Sequence, residues 1–85
     1  MDKTARLIKE KLGLGKFRLT LHAMIRTEER FVTFADIKQC GKTAKKIENQ
    51  KEKDTWKVVG KDLDNRKLTV ICDVENKEVF IVTIF

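Results

Sequence analysis

The sequence predicts an α+β domain in which N-terminal helices pack on a four-stranded antiparallel β-sheet. Three observations support this fold class. Apolar residues recur at helical spacing in the first half of the chain, they alternate with polar residues in the second half, and short turn sequences separate the alternating segments. The chain has 85 residues, which is enough for one hydrophobic core. We therefore expect a single domain that spans residues 1–85.

The first predicted helix occupies residues 1–13. Ala5, Ile8 and Leu12 recur at helical spacing and would form its buried side. Glycine is common just past the end of a helix, so the "GLG" sequence after Leu12 is expected to end it.

Two further helices are predicted within residues 17–41. Thr20 is a suitable N-cap for the first of them, because its hydroxyl can accept a hydrogen bond from a free backbone N–H. Thr33 and Asp36 have the spacing of a capping box, with Asp in the position usual for Glu. The helix that they begin should end before Gly41.

Residues 45–85 are predicted to form a β-meander of four strands, joined at the turn sequences "KEKD", "DN" and "NK". The last strand, "EVFIVTIF", lacks the charges that usually protect a sheet edge, so it should be an inner strand. Its second side would pair with "FRLTL" or with a strand from another chain, and we favour the internal pairing. Alternation would place Val79, Ile81 and Thr83 on one face of this strand.

The chain carries a formal net charge of +6, which favours anionic partners such as nucleic acid, a membrane surface or an acidic protein. The charge is uneven, since residues 1–18 and 38–57 each carry +4 whereas residues 19–37 and 58–85 each carry −1. The basic residues that we expect to contact nucleic acid are Arg18, Lys42, Lys45 and Lys46. A lysine-rich surface that serves only solubility is the alternative.

The two cysteines, Cys40 and Cys72, and the single histidine are too few for a four-ligand zinc site. We therefore expect no metal and no cofactor. The N-terminal sequence lacks the apolar region of a signal peptide, and no stretch has the length of a transmembrane helix. These features predict a cytoplasmic protein with reduced, mostly buried thiols and no membrane partner.

The only histidine begins a polar stripe on the second predicted helix. The members of this stripe, spaced four residues apart, are His22, Arg26 and Arg30. Leu21, Met24 and Ile25 fall roughly opposite, so we expect them to pack on the sheet and the polar stripe to face solvent. An imidazole exchanges a proton near neutral pH and guanidinium groups match phosphate oxygens, which suits metal-independent phosphodiester cleavage. An ordinary solvent-facing stripe that pairs with nearby carboxylates is the alternative.

The run "TLHAMIRTEERFVTFADI" resembles the motif of a small domain family of otherwise unknown function, related to BrnT-type and more distantly to RelE-type toxins. That motif is Ser or Thr, then H-A-x-x-R-x-x-E-R, a hydrophobic residue, Ser or Thr, and an acidic residue before an apolar one. The family's Gly-Lys matches Gly41-Lys42, its G-x-x-x-x-x-R-x-L-x-V core matches "GKDLDNRKLTV", and its I-x-T-hydrophobic-aromatic end matches "IVTIF". The resemblance covers residues from about 17 to 85.

This resemblance implies a barnase–RelE-like fold and metal-independent RNA cleavage, often by the toxin of a toxin–antitoxin pair. By position, the catalytic residues that it implies are His22, Arg26, Arg30 and Thr83. His22 would be the general acid or base that helps the ribose 2′-oxygen attack phosphorus, and the arginines, with Lys42, would stabilise the developing charge. Related toxins often end in an aromatic with a hydroxyl. Here that residue is Phe85 and the chain contains no Tyr, which excludes a phenol as acid or base.

The leading hypothesis is therefore an endoribonuclease whose partners are RNA, including ribosome-associated mRNA, and an acidic antitoxin. Two alternatives stay open, a non-catalytic nucleic-acid-binding module and a protein-interaction domain that binds an acidic partner. We expect a monomer or a weak dimer.

Overall fold

The computed structural model describes residues 2–85 and confirms the α+β class. Met1, at which the predicted domain and the first helix begin, lies outside the described residues. The elements in chain order are α1 (Lys3–Leu14), β1 (Arg18–Leu19), α2 (Leu21–Arg30), α3 (Phe34–Thr43), β2 (Lys46–Gln50), β3 (Thr55–Lys61), β4 (Lys67–Glu75) and β5 (Glu78–Ile84).

The sheet has five strands in the order β1-β5-β4-β3-β2, so the prediction of a four-stranded antiparallel sheet was wrong in its strand count. Strands β2 to β5 form the predicted antiparallel meander. The added strand, β1, runs parallel to β5 and places Arg18 beside Phe80 and Leu19 beside Ile81. The internal pairing expected for the terminal strand is thereby confirmed. A strand of two residues is too short to show an alternating pattern, which is why the sequence predicted it only weakly.

The helix starts follow the predicted capping residues. The Thr20 hydroxyl accepts a hydrogen bond from the Ala23 backbone N–H (3.1 Å), and Thr33 and Asp36 form the full capping box of α3.

The ends of α1 and α3 both differ from the prediction. Helix α3 continues through Gly41 to Thr43, because Gly41 serves the close contact with α1 and does not end the helix. Helix α1 continues through Gly13 and stops at Gly15, whose φ of 76° is left-handed. Glycine adopts the left-handed backbone conformation without steric strain, so Gly15 is the residue that ends the helix.

The hydrophobic core lies between the helices and one face of the sheet. Its helical members are Ile8, Leu12, Ala23, Ile37 and Cys40, and its strand members include Val58, Leu68, Val70, Cys72, Val79, Ile81 and Ile84. Helix α3 packs closely against α1 and against β3, and a glycine lies at each of these two contacts. A Cβ on Gly41 would overlap Leu12, and a Cβ on Gly60 would overlap the backbone of Cys40. The first close approach sets the distance between α1 and α3, and the second sets the distance between α3 and β3.

A β-bulge in β5 reverses the expected position of Thr83. Ile71 pairs with Thr83 and Cys72 pairs with Ile81, so Val82 has no partner residue on β4. An extra residue shifts the alternation by one. Thr83 therefore lies on the face away from the helices, whereas Ile84 takes the core position, and the prediction that Thr83 shares a face with Val79 and Ile81 was wrong.

Candidate nucleic-acid interface

The face of the sheet away from the helices carries a surface of apolar and charged residues, basic at one end, that we call the open face. Its residues alternate along each strand with those of the core. They include Lys46, Glu48, Lys57, Val59, Lys61, Lys67, Thr69, Ile71, Asp73, Phe80, Thr83 and Phe85.

The strand register arranges the open face in rows that cross the sheet. Lys46 lies opposite Val59, and Val59 lies opposite Thr69. Thr69 exchanges two backbone hydrogen bonds of 2.9 Å with Phe85, which completes this row. The next row contains Glu48, Lys57, Ile71 and Thr83, so a carboxylate lies opposite Lys57. The register therefore brings the lysines of β2 and β3 onto the surface that also carries Thr83 and Phe85.

A groove of about 470 Å³ lies at one end of this face. Within residues 2–85, its charged lining consists of four lysines, namely Lys45, Lys46, Lys61 and Lys67. Lys61 and Lys67 stand directly opposite each other on β3 and β4. Like charges opposite each other on adjacent strands are destabilising. An anion bound between Lys61 and Lys67 would relieve this repulsion. One lysine is partly neutralised, since Lys46 pairs with Glu48 at 2.9 Å on an exposed surface.

A second, smaller cleft of about 230 Å³ lies beside the end of α2. The two share Lys67, and the cleft is also lined by Arg30 and Arg66. The Arg66 guanidinium lies 3.3 Å from a carboxylate oxygen of Asp62 and 3.1 Å from one of Asp64, which reduces its attraction for other anions. Arg30 and Lys67 therefore provide most of the positive charge of the cleft.

The turn between β3 and β4, which presents Lys61 and Lys67, is tied to helix α3 by Asp36. One carboxylate oxygen accepts from the Leu63 N–H in the turn (3.0 Å), and the other accepts from the N–H and the hydroxyl of Thr33 (2.8 and 3.0 Å). Burial raises the pKa of Asp36, but these hydrogen bonds and the charge of Arg66 outweigh it, so the pKa is lowered from 3.8. The carboxylate is thus ionised at neutral pH and holds the turn.

The four nucleic-acid-binding residues predicted from the sequence do not form one cluster. Lys45 and Lys46 line the groove. Lys42 is exposed near the crossing of α1 and α3, where its backbone carbonyl accepts a hydrogen bond from Lys9 (2.8 Å). Arg18 is on β1, at the edge of the sheet opposite β2, and lines a separate cleft. Strands are about 4.8 Å apart, so roughly 19 Å separates these two edges.

Sequence reasoning missed Lys61 and Lys67, which the register brings together. A signal for them exists, because each lies next to a core-facing position of its strand, beside Gly60 and Leu68 respectively. Alternation alone would have assigned both to the outer face. Their apposition requires the register of the hairpin, and a two-residue "DN" turn does not determine that register without the neighbouring contacts.

Helix α2 is rotated relative to the prediction. Ala23 is its buried residue, whereas Leu21, Met24 and Ile25 are 74%, 49% and 48% exposed, so the prediction that they pack on the sheet was wrong. The cause is a set of polar contacts with the uncovered edge of β5. The Thr20 hydroxyl donates to the Val82 carbonyl (3.2 Å), beyond the point where β1 ends.

The three members of the polar stripe have three different environments. His22 is exposed at the start of α2. Arg26 is half-buried, and its Nε and Nη2 donate to the Ile84 carbonyl at 3.3 and 3.2 Å while Nη1 lies 3.5 Å from Glu29. Arg30 is exposed and lines the cleft described above. Arg26 therefore fixes α2 beside Ile84, the residue between Thr83 and Phe85 of the open face.

Metal and membrane features can be assessed for residues 2–85. Within this part of the chain, no three His, Cys, Asp or Glu side chains lie close enough to hold a metal ion. None of its helices combines the length and apolar character that crossing a membrane requires. Cys40 and Cys72 are free and buried, and burial raises their thiol pKa values to about 11 and about 12.

Comparison with known proteins places the chain in a family without assigning it an activity. Neither the curated proteins nor the solved structures gave a match. The profile of one family, described as "Domain of unknown function (DUF4258)", matches residues 19–85. The match includes the polar stripe, the groove lysines and the terminal strand. Since it covers most of the chain, the protein belongs to the DUF4258 family.

Proposed function

We propose that the protein binds RNA across the open face, with the lysines of the groove contacting backbone phosphates. The observation that carries the proposal is the direct apposition of Lys61 and Lys67 in a groove that Lys45 and Lys46 also line. Phosphates placed between these ammonium groups would relieve their repulsion and release condensed counterions, which is the main source of affinity for nucleic acids. RNA is preferred over DNA because of the resemblance to RelE-type and BrnT-type toxins.

The remainder of the open face supplies a surface for bases. Phe85 is 48% exposed and shares a row with Val59 and Thr69. An aromatic ring on a flat sheet stacks on any base, so this contact would add affinity without demanding a sequence. The combination of a cationic groove and one aromatic ring suits a single strand whose bases are accessible.

Salt dependence of binding tests the proposal. Affinity for a fluorescein-labelled, unstructured RNA would be measured by anisotropy over a range of KCl concentrations. If four phosphates are neutralised, the slope of log affinity against log salt is about −3, since each contact to a single strand contributes about −0.7. Replacing both Lys61 and Lys67 with Gln should reduce the slope to about −1.5.

A charge-matched variant provides the control. Lys51 and Lys53 are exposed in the turn between β2 and β3, at the other end of those strands from the groove. Replacing both with Gln removes the same net charge, so the slope should stay near its wild-type value. Affinity that is independent of salt, or an equal loss in both double variants, would contradict RNA binding at the groove.

Endoribonuclease activity is a second candidate, favoured by the contact between Arg26 and the Ile84 carbonyl. This contact holds the stripe that begins with His22 beside the strand end that carries Thr83. In the proposed reaction His22 accepts the proton of the ribose 2′-hydroxyl while its oxygen attacks phosphorus. The P–O5′ bond breaks, water protonates the leaving 5′-oxygen, and Arg30 stabilises the charge on the phosphate. Arg26 keeps the stripe in position, and Thr83 contacts the phosphate from the open face. An acidic antitoxin that covers the lysines would then be the natural inhibitor.

The His22→Ala variant separates cleavage from binding. Acid–base catalysis contributes about 10²–10⁴ in rate, so this variant should lose cleavage in EDTA-containing buffer while its RNA affinity stays the same. Expression of the wild type in a host without an antitoxin should arrest growth, and expression of the variant should not. A wild type that binds RNA but leaves free RNA and translating ribosomes uncut would rule out the nuclease and leave RNA binding intact.

A further inference from the structure

The apolar residues of α2 form a stripe on the surface of the protein. Leu21, Met24 and Ile25 have the i, i+3, i+4 spacing of one helix side. About three quarters of Leu21 and nearly half of each of the other two are exposed. Glu28 extends the same side by one turn. A helix of a small domain usually buries such a side, and here the buried position belongs to Ala23 instead. This arrangement indicates an interaction surface.

The charges at the two ends of the stripe are complementary to each other. The first turn of α2 contains no acidic residue, so the positive end of the helix dipole is not compensated there. Glu28 lies in the last turn, where the negative end of the dipole disfavours a carboxylate. The ion pair of this helix joins Arg26 to Glu29 (3.5 Å). If two such helices ran antiparallel, Glu28 of each copy would lie at the N-terminus of α2 of the other copy, where the helix dipole favours a carboxylate.

We propose that a second copy of this chain docks on α2, with the two helices antiparallel about a two-fold axis between Met24 and Ile25. In this register Met24 meets Ile25 of the second copy, and Leu21 lies near Glu28 of the second copy. Each carboxylate then lies at the N-terminus of the opposite helix, a stabilising position. The same surface patch serves both subunits, which is the arrangement that a two-fold dimer requires.

The size of the surface sets the strength of the dimer. A stable interface uses about 20–30 residues from each partner, whereas α2 contains 10 residues. The interface is therefore small, and we expect a weak dimer that forms only at high protein concentration. The open face is not part of this contact, so RNA binding and dimer formation are separate properties.

Sedimentation equilibrium between about 10 μM and 1 mM tests the dimer. The wild type should show a concentration-dependent rise in mass, and Ile25→Glu should weaken association at least about tenfold. The control is Leu63→Glu, since Leu63 is 60% exposed in the turn between β3 and β4 and is not part of the apolar stripe of α2. It should associate like the wild type, with circular dichroism used to check that both variants are folded. A wild type that stays monomeric, or the same loss in both variants, overturns the proposal.

Disulfide cross-linking tests the orientation. The native cysteines are buried, so cross-links report only on introduced thiols. Leu21→Cys and Glu28→Cys should cross-link to each other when mixed, and much more slowly when each is oxidised alone. Faster cross-linking within each variant alone would indicate parallel helices and overturn the antiparallel register.

Discussion

At the scale of single residues, Asp36 joins two parts of the molecule that are far apart in sequence. Its carboxylate completes the capping box of α3 and also accepts from the Leu63 N–H in the β3–β4 turn. Asp36→Asn replaces one acceptor oxygen with a donor and leaves at least one of these N–H groups without a partner. We expect a loss of about 1–3 kcal/mol in the free energy of unfolding, measured by urea denaturation at neutral pH.

The pH dependence of that loss gives a second measurement. The pKa of Asp36 is lower in the folded protein than its ordinary value of 3.8. Its ionised form therefore stabilises the fold above that value, and the stabilisation disappears as pH falls through the lower, folded pKa. The gap between wild type and Asp36→Asn should stay constant well above pH 3.8 and narrow as the pH falls below that value. As a control, Asp64→Asn removes an exposed pair with Arg66 and should cost less than about 1 kcal/mol. A gap that is constant with pH would contradict the role of the charge.

At the scale of elements, the close packing of α1 against α3 requires a glycine at Gly41 but not at Gly13. A Cβ on Gly41 would overlap Leu12 and the backbone of Gly13, whereas a Cβ on Gly13 would meet only the flexible side chain of Lys42, at 3.3 Å. Gly41→Ala should therefore destabilise the protein by about 1–3 kcal/mol. Gly13→Ala should stabilise it by up to about 1 kcal/mol, because alanine favours a helix interior. Thermal unfolding of both variants compares them directly, and equal effects would contradict this account of the crossing.

The elements that the sequence predicted best are those determined by local chemistry. Thr20, and Thr33 with Asp36, are short-range capping signals, and both helices begin where these residues predict. The rotation of α2 depends instead on the contact between Arg26 and the Ile84 carbonyl, 58 residues along the chain. The position of Thr83 depends on the bulge at Val82. The periodicity of the sequence carries no information about this contact or this bulge. The residues of the polar stripe could therefore be predicted, but not the orientation of the stripe relative to the sheet.

At the scale of the whole molecule, the tertiary fold redistributes the charge seen along the sequence. The basic zone at residues 38–57 supplies Lys45 and Lys46 to the groove, but Lys61 and Lys67 come from the segment whose net charge is −1. Acidic residues of that segment, such as Asp62 and Asp64, are bound by Arg66 within the turn. Arg66 therefore neutralises only part of the negative charge of the turn, and the lysines on either side of the turn face the groove. The net charge of a segment was a poor guide to the surface that it forms.

Global stability should fall in alkaline solution because of the two buried thiols. The pKa of Cys40 is raised to about 11 and that of Cys72 to about 12, mainly by burial, from an ordinary value of 9.0. Below pH 9 neither the folded nor the unfolded state is ionised at these sites, so the thiols cause no pH dependence there. Between pH 9 and the folded pKa values, only the unfolded state loses the protons, and this favours unfolding.

The expected decline is about 1.4 kcal/mol for each thiol at one pH unit above the unfolded value, since one pKa unit corresponds to that free energy. Urea unfolding at pH 8 and at pH 10 measures it, and the single variants Cys40→Ala and Cys72→Ala should each lose about half of the thiol contribution. Lysine titration is the same in all three proteins and cancels in the comparison. A decline that is unchanged in both variants would mean that the thiols ionise as readily in the folded chain as in the unfolded one. That result would contradict a core in which α3 and β4 bury both sulfur atoms.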